Sequence, residues 1–146
     1  MVGFKKYLLH LYYTNCLVQH DEMRKMKEEE KLNELLSAWE ETYKKGQLTL
    51  WIFLALQEDR KYVDEIKGFV EERSKGTMTC EEQSLYRVLR KFEHVGILDY
   101  ELRKGNKGPE RKYYFLTAIG QQLFRQFVER NIQLFYAEEI KNLLKM

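Results

Sequence analysis

One proline, two cysteines and three histidines in 146 residues are the scarcities that bound this chain. Two cysteines, Cys16 and Cys80, are too few for a disulfide framework and fit a reducing compartment, so a cytoplasmic protein is expected. Three scattered histidines, no nucleophile motif and no glycine-rich phosphate cradle leave no basis for an enzyme. Cys16 and His20 stand four apart, but a zinc site takes three or four ligands and no second pair is near, so neither metal nor cofactor is expected. A single proline beside a charged fraction of 33% points to a helix-rich chain rather than a disordered one. No apolar run approaches the roughly 20 residues that cross a bilayer. Tyr7 to Val18 follows Lys5 and Lys6 as a signal peptide would, yet it contains His10, Thr14 and Asn15 and lacks a small-residue cleavage site, so export is not expected. An excess of one charge is also missing: at a net +2, any nucleic-acid binding must come from local clustering. The one concentrated surplus lies between Arg103 and Lys112, with five basic residues against one acidic.

What is present centres on Met78 to Leu98. Leu85, Val88, Leu89, Phe92 and then Val95 recur at the spacing of one helical face, while Ser84, Arg87, Arg90 and Lys91 fall elsewhere. Thr79 is placed to cap this helix, and Gly96 to end it in the left-handed conformation before Ile97 and Leu98 begin a strand. Two strands follow, Asp99 to Arg103 and Lys112 to Leu116, around the turn residues Lys104 to Pro109. In these strands Tyr100 and Leu102, then Tyr113 and Phe115, give the alternation of half-buried positions. A capped helix running into a hairpin is the pattern of a winged helix.

Gln83-Ser84-Leu85-Tyr86-Arg87-Val88-Leu89-Arg90-Lys91-Phe92-Glu93 with Val95-Gly96-Ile97-Leu98 resembles the recognition helix of the PadR family. Gly108-Pro109-Glu110-Arg111-Lys112-Tyr113-Tyr114-Phe115-Leu116-Thr117-Ala118-Ile119-Gly120 resembles that family's wing strand and its Leu-Thr-x-x-Gly ending. The resemblance runs from about Lys45 to Phe127. It implies a homodimeric transcriptional regulator, a repressor, that reads a palindromic operator in double-stranded DNA. Ser84 and Tyr86 match the family motif; Arg87, Arg90 and Lys91 follow from their exposed phase. Arg103, Lys104, Lys107, Arg111 and Lys112 form the basic wing. Tyr62 matches the first tyrosine of a family motif, Tyr-Gly-Tyr-Glu-Ile, that here reads Tyr62-Val63-Asp64-Glu65-Ile66, so a carboxylate stands where relatives can offer a hydroxyl to phosphate. The competing reading is a winged-helix protein-interaction module without specific DNA binding, favoured by Asp64, Glu81 and Glu82.

The remaining segments frame this domain. Residues 1–22 read as a short apolar helix or strand, or as an extension ahead of a start at Met23 or Met26. Residues 24–44 read as an amphipathic helix with Leu32, Leu35, Leu36, Trp39 and Tyr43 on one stripe. The acidic run from Glu28 to Glu30 suits a solvated helix start. Leu48 to Leu56 is apolar almost all round and reads as the core helix; Glu58 to Arg60 supply a turn, and Val63, Ile66, Phe69 and Val70 face inward from the next helix. Thr117 caps a last helix, Ala118 to Leu144, whose stripe is too long for a compact monomer to cover. The expected architecture is mainly α with a small β wing: an N-terminal extension and amphipathic helix over 1–44, a winged helix-turn-helix domain over 45–117, and a C-terminal dimerisation helix over 118–146. Trp39, Leu123, Phe127, Ile132 and Phe135 are the dimerisation candidates. The resemblance also implies a small aromatic or cationic effector near the dimer interface; Trp39, Trp51 and Phe135 are candidates to line its pocket, though such residues more often belong to a core. No membrane partner is expected.

Overall fold

A computed structural model describes residues 2–146 and divides the chain into two units, one up to Lys45 and one from Gly46 to Met146. The first is a single helix, α1 (Val2–Lys44). Between residues 4 and 45 there is neither glycine nor proline to break it, so the two segments expected there join into one rod of roughly 65 Å. Ion pairs one turn apart, Arg24 with Glu28 at 3.7 Å and Lys44 with Glu40 at 3.9 Å, add small local support. The helix ends at Lys44, just before Gly46, whose φ of +85° glycine adopts at no steric cost. Leu32, Leu35, Leu36, Trp39 and Tyr43 are all exposed.

The second unit carries α2 (Gln47–Glu58), α3 (Val63–Arg73), α4 (Glu82–His94), β1 (Leu98–Lys104), β2 (Glu110–Leu116) and α5 (Ala118–Asn131). A 3₁₀ turn (Gln133–Tyr136) and α6 (Glu138–Leu144) complete it. Ile52, Phe53, Ala55 and Leu56 of α2 are buried at the centre, where they meet Val63, Ile66 and Val70 of α3, Leu85 and Leu89 of α4, and Leu98, Tyr114 and Leu116 of the hairpin. This is a winged helix, mostly helical with one two-stranded antiparallel sheet. No helix among the described residues is long and apolar enough to cross a membrane.

Local details depart from the sequence reading. Thr79 does not cap α4: Met78 and Cys80 are both buried, Thr79 is exposed between them, and the helix begins at Glu82 with no side-chain cap. Buried Ser74 instead pins the approach, accepting from the Met78 N–H at 3.0 Å. Gly96 does end α4, with φ +78° and the Ile97 N–H returning to the Phe92 carbonyl at 2.9 Å. Val95, placed on the packed face by spacing, lies past the helix end and is exposed. Leu102 is also exposed, and β2 turns Tyr114 and Leu116 to the core rather than Tyr113 and Phe115. The register pairs Leu98 with Leu116 and Tyr100 with Tyr114, so the buried face of β1 dictates which residues of β2 turn inward. Lys61 adds an isolated antiparallel bridge to β2: its N–H donates to the Tyr114 carbonyl and the Tyr114 N–H to the Lys61 carbonyl, at 3.2 and 2.9 Å.

Thr117 caps α5 as expected, its Oγ1 accepting from the Gly120 N–H at 3.2 Å. The same hydroxyl lies within donating distance of the Gly96 and Ile97 carbonyls, 2.7 and 3.0 Å away, and so ties the start of α5 to the corner that ends α4. Gly120 is required there, because a Cβ would fall well inside van der Waals contact distance of the Ile97 carbonyl oxygen. The single C-terminal helix expected through Leu144 is broken after Asn131. The Asn131 side-chain amide donates to the Phe127 carbonyl at 3.0 Å, competing locally for a helix acceptor, and Ala137 is extended before α6 restarts.

Candidate nucleic-acid interface

The outer face of α4 is set by the inner one. With Leu85 and Leu89 fully buried, positions 83, 86, 87 and 90 share the opposite stripe, and Tyr86, Arg87 and Arg90 are exposed on it. Tyr86 is therefore a surface ring rather than a core ring. Gln83, Tyr86, Arg87 and Arg90 line one side of an open groove of about 680 Å³, and Lys112 and Tyr114 of β2 line the other. Gln83 is not among the sequence-derived candidates, although its helical phase places it with Tyr86, Arg87 and Arg90. Ser84 is half-buried and its Oγ accepts from Arg87 Nη2 at 3.3 Å; Arg90 Nε donates to the Tyr86 carbonyl at 3.4 Å. Lys91 is exposed on α4 but does not line this groove.

Strand alternation divides the wing residues. Lys112 lies on the same side of the hairpin as Tyr100 and Tyr114, with its ammonium 3.8 Å from the Tyr100 ring centre and 3.4 Å from Glu93 of α4. Burial pulls this ammonium's pKa down, but attraction to the Tyr114 phenolate, the Glu93 carboxylate and the Tyr100 phenolate outweighs it, so the Lys112 pKa is raised from its ordinary value. Burial pushes the Tyr114 hydroxyl up from its ordinary 10.0, against the pull of Lys112. Arg103 and Arg111 are paired across the strands on the other side. Arg103 is ion-paired to Glu101 and sits 4.5 Å over Tyr113; Arg111 sits 4.5 Å over Tyr62, whose ring also packs on Tyr113. Arg60 likewise pairs with Glu101 and covers Phe115 at 4.2 Å. Lys104 and Lys107 at the tip have no ion-pair partner within 4 Å among the described residues.

A second groove, of about 370 Å³, joins Tyr62 and Asp64 at the start of α3 to Glu82 and Tyr86 of α4 and to Glu110 and Arg111 of the wing. Asp64 is exposed there, whereas neighbouring Glu65 is used within the fold, accepting from the Tyr62 N–H at 3.2 Å to cap α3. The electrostatics are therefore uneven: cations dominate between α4 and Lys112, and carboxylates intrude where α3 meets the wing.

The dimerisation candidates are distributed differently. Leu123 and Phe127 line an apolar groove of about 310 Å³ with Leu50, Phe53, Phe92 and Phe124. Ile132 is half-buried at the break after α5, and Phe135 is exposed on the 3₁₀ turn. Of the aromatics expected to line an effector pocket, Trp51 packs against the core, and neither Trp51 nor Phe135 lines this groove.

Residues 52–126 match the sequence profile of the transcriptional regulator PadR-like family, half of the chain. The chain belongs to this family. Members of the PadR-like family are transcription regulators, not enzymes. A PadR-like transcription factor from Bacteroides fragilis is 28% identical, with a TM-score of 0.55 over 64% of this chain and 88% of that one. A PadR-like regulator from Bacillus cereus is 23% identical, with a TM-score of 0.59 over 72% of this chain and 98% of its own. PadR of Bacillus subtilis, solved in complex with operator DNA, is 20% identical, with a TM-score of 0.52 over 56% of this chain and 46% of its own. No curated protein matches the sequence.

Proposed function

We propose that this PadR-like protein is a homodimeric repressor that binds a palindromic operator in double-stranded DNA. In this reading α4 enters the major groove and the wing holds flanking phosphates. The observation that carries it is the convergence of Gln83, Tyr86, Arg87 and Arg90 of α4 with Lys112 of the wing on one open, cationic groove. An arginine can read guanine and a glutamine adenine by paired hydrogen bonds to base edges, and both side chains project from the face of α4 that the core leaves free. The operator complex of the Bacillus subtilis relative supports the same use of the fold. The exposed apolar side chains Leu123 and Phe127 on α5 supply a dimer surface, to which Ile132 and Phe135 add beyond the helix. A cytoplasmic location accompanies this role.

The carboxylates of Asp64, Glu82 and Glu110 favour a second reading, a protein-interaction module, because they stand where a phosphate would otherwise approach α3 and the wing. Selection of bound duplexes from random sequence decides between the two. The repressor reading expects an enriched inverted repeat with half-sites about one helical turn, roughly 10 base pairs, apart. Equal, weak binding to every duplex would support the interaction module.

A further inference from the structure

Seven of the exposed apolar residues of α1 fall on one heptad seam with its central charges. Taking Leu8 as position a, the a and d positions hold Leu8, Leu11 and Val18 in the first half of the helix and Leu32, Leu36, Trp39 and Tyr43 in the second. Asn15, Glu22, Lys25 and Glu29 occupy the same seam. All seven apolar members are exposed, from 47% at Leu11 to 74% at Trp39. Leu36, Trp39, Glu40 and Tyr43 surround a hollow of about 180 Å³. Their positions, a, d, e and a, are those that form the hole receiving a knob from a partner helix.

We propose that α1 pairs with α1 of a second copy as an antiparallel two-stranded coiled coil, centred between Glu22 and Lys25. The proposal goes beyond the homodimeric reading by giving α1 its own partner, and rests on that reading only in taking the occupant to be another copy of this chain. Charge complementarity decides the direction. Run in parallel, the seam would stack Glu22 on Glu22, Lys25 on Lys25 and Glu29 on Glu29, three like-charge layers in succession. Run antiparallel about that centre, Glu22 of each copy meets Lys25 of the other, Leu11 meets Leu36, and Leu8 enters the hollow around Trp39. Asn15 and Val18 would each face themselves in the parallel form; antiparallel they meet Leu32 and Glu29, mixed layers set against the removal of three like-charge layers and the gain of two central ion pairs. The outer layers match in this arrangement, since Leu8 and Leu11 near one end of the helix meet Trp39 and Leu36 near the other.

Cross-linking of the full chain tests the pairing. In a Cys16→Ser background, Leu11→Cys and Leu36→Cys are made separately, and each is oxidised alone and as an equal mixture. A disulfide dimer between the two variants, with little from either alone, is expected. Self-cross-linking of each variant alone would mean a parallel pair and would overturn the proposal, as would no cross-link in any tube while sedimentation still reports a dimer. Lys25→Glu should raise the dissociation constant by about tenfold or more through like-charge layers, and the exchange Glu22→Lys with Lys25→Glu should restore it. A parallel pair would keep like-charge layers in the exchange variant as in the unaltered chain, so its pairing direction is read from the cross-links. Operator binding of the same samples separates the two readings: lost cross-linking with retained binding removes the coiled coil alone, and intact cross-linking without binding removes the regulator alone.

Discussion

The reading helix and the wing both present cations, but they hold them by different means. On α4, Arg87 leans on the Ser84 hydroxyl and Arg90 on a backbone carbonyl, and neither has a carboxylate within 4 Å among the described residues. On the wing, Arg103 and Lys112 are engaged by Glu101 and Glu93 and by tyrosine rings, and Arg111 by the Tyr62 ring. A hairpin of two strands is marginal by itself; Arg103 braces it internally, and Lys112 with Glu93 and Arg111 with Tyr62 tie it to the body through cations that sequence alone would assign to phosphate. Among the described residues, Lys104 and Lys107 at the tip are the wing cations with neither a carboxylate nor an aromatic ring beside them. In the proposed DNA-binding role, the helix would supply discrimination and the tip charge, while Arg103 and Arg111 brace the hairpin and Lys112 both braces it and lines the groove.

The largest effect should come from removing the platform that both parts share. Gly120→Ala drives a methyl group into the Ile97 carbonyl where the end of β2 and the start of α5 meet the corner after α4; a loss of roughly 3 kcal/mol or more in chemical denaturation is expected. Next, Arg87→Ala or Arg90→Ala should cost about 1 to 3 kcal/mol on the selected operator and much less on scrambled DNA, by titration. Removing Lys104 and Lys107 together should weaken both duplexes alike and lower the salt slope by about 1 for each phosphate that is no longer neutralised. Equal losses from helix and tip variants on both duplexes would erase the distinction.

The smallest effect concerns pH. Tyr114 and Lys112 both bind their protons more tightly in the folded state, so the stability they contribute is complete below about pH 10 and is lost as the pH rises through their folded values. Denaturation curves between about pH 8 and 11 should show stability falling at the alkaline end, and Tyr114→Phe should flatten that fall. An unchanged slope would show that Tyr114 does not titrate as its burial requires.

Much of the fold is legible because its signals are local. The packed stripe of α4 repeats at helical spacing, Gly96 marks its end, and the glycines and proline of 105–109 mark the wing turn. The outer stripe is equally legible in principle, and Gln83 falls on it. The phase of β2 is not. Tyr113-Tyr114-Phe115-Leu116 is a continuous apolar run, so alternation carries no information until pairing with Leu98 and Tyr100 selects Tyr114 and Leu116 for the core. The bridge from Lys61 joins residues 53 apart in sequence and has no local trace. The engagement of Arg103, Arg111 and Lys112 is hidden for the same reason: it depends on which ring or carboxylate lies beside each cation.

Periodicity and punctuation by themselves determined the order of helices and strands from α2 to β2, the core faces of α3 and α4, and the residue types on the outer face of α4. These follow from local geometry, since 3.6 residues per turn and the freedom of glycine act within a few residues. Only the tertiary structure decided which face of β2 packs, why Gly120 must be glycine, and which of the basic residues remain free. Those are properties of neighbours distant in sequence, set by strand register and by close approach of backbones that meet only once the core around Ile52, Ile66 and Leu89 has formed.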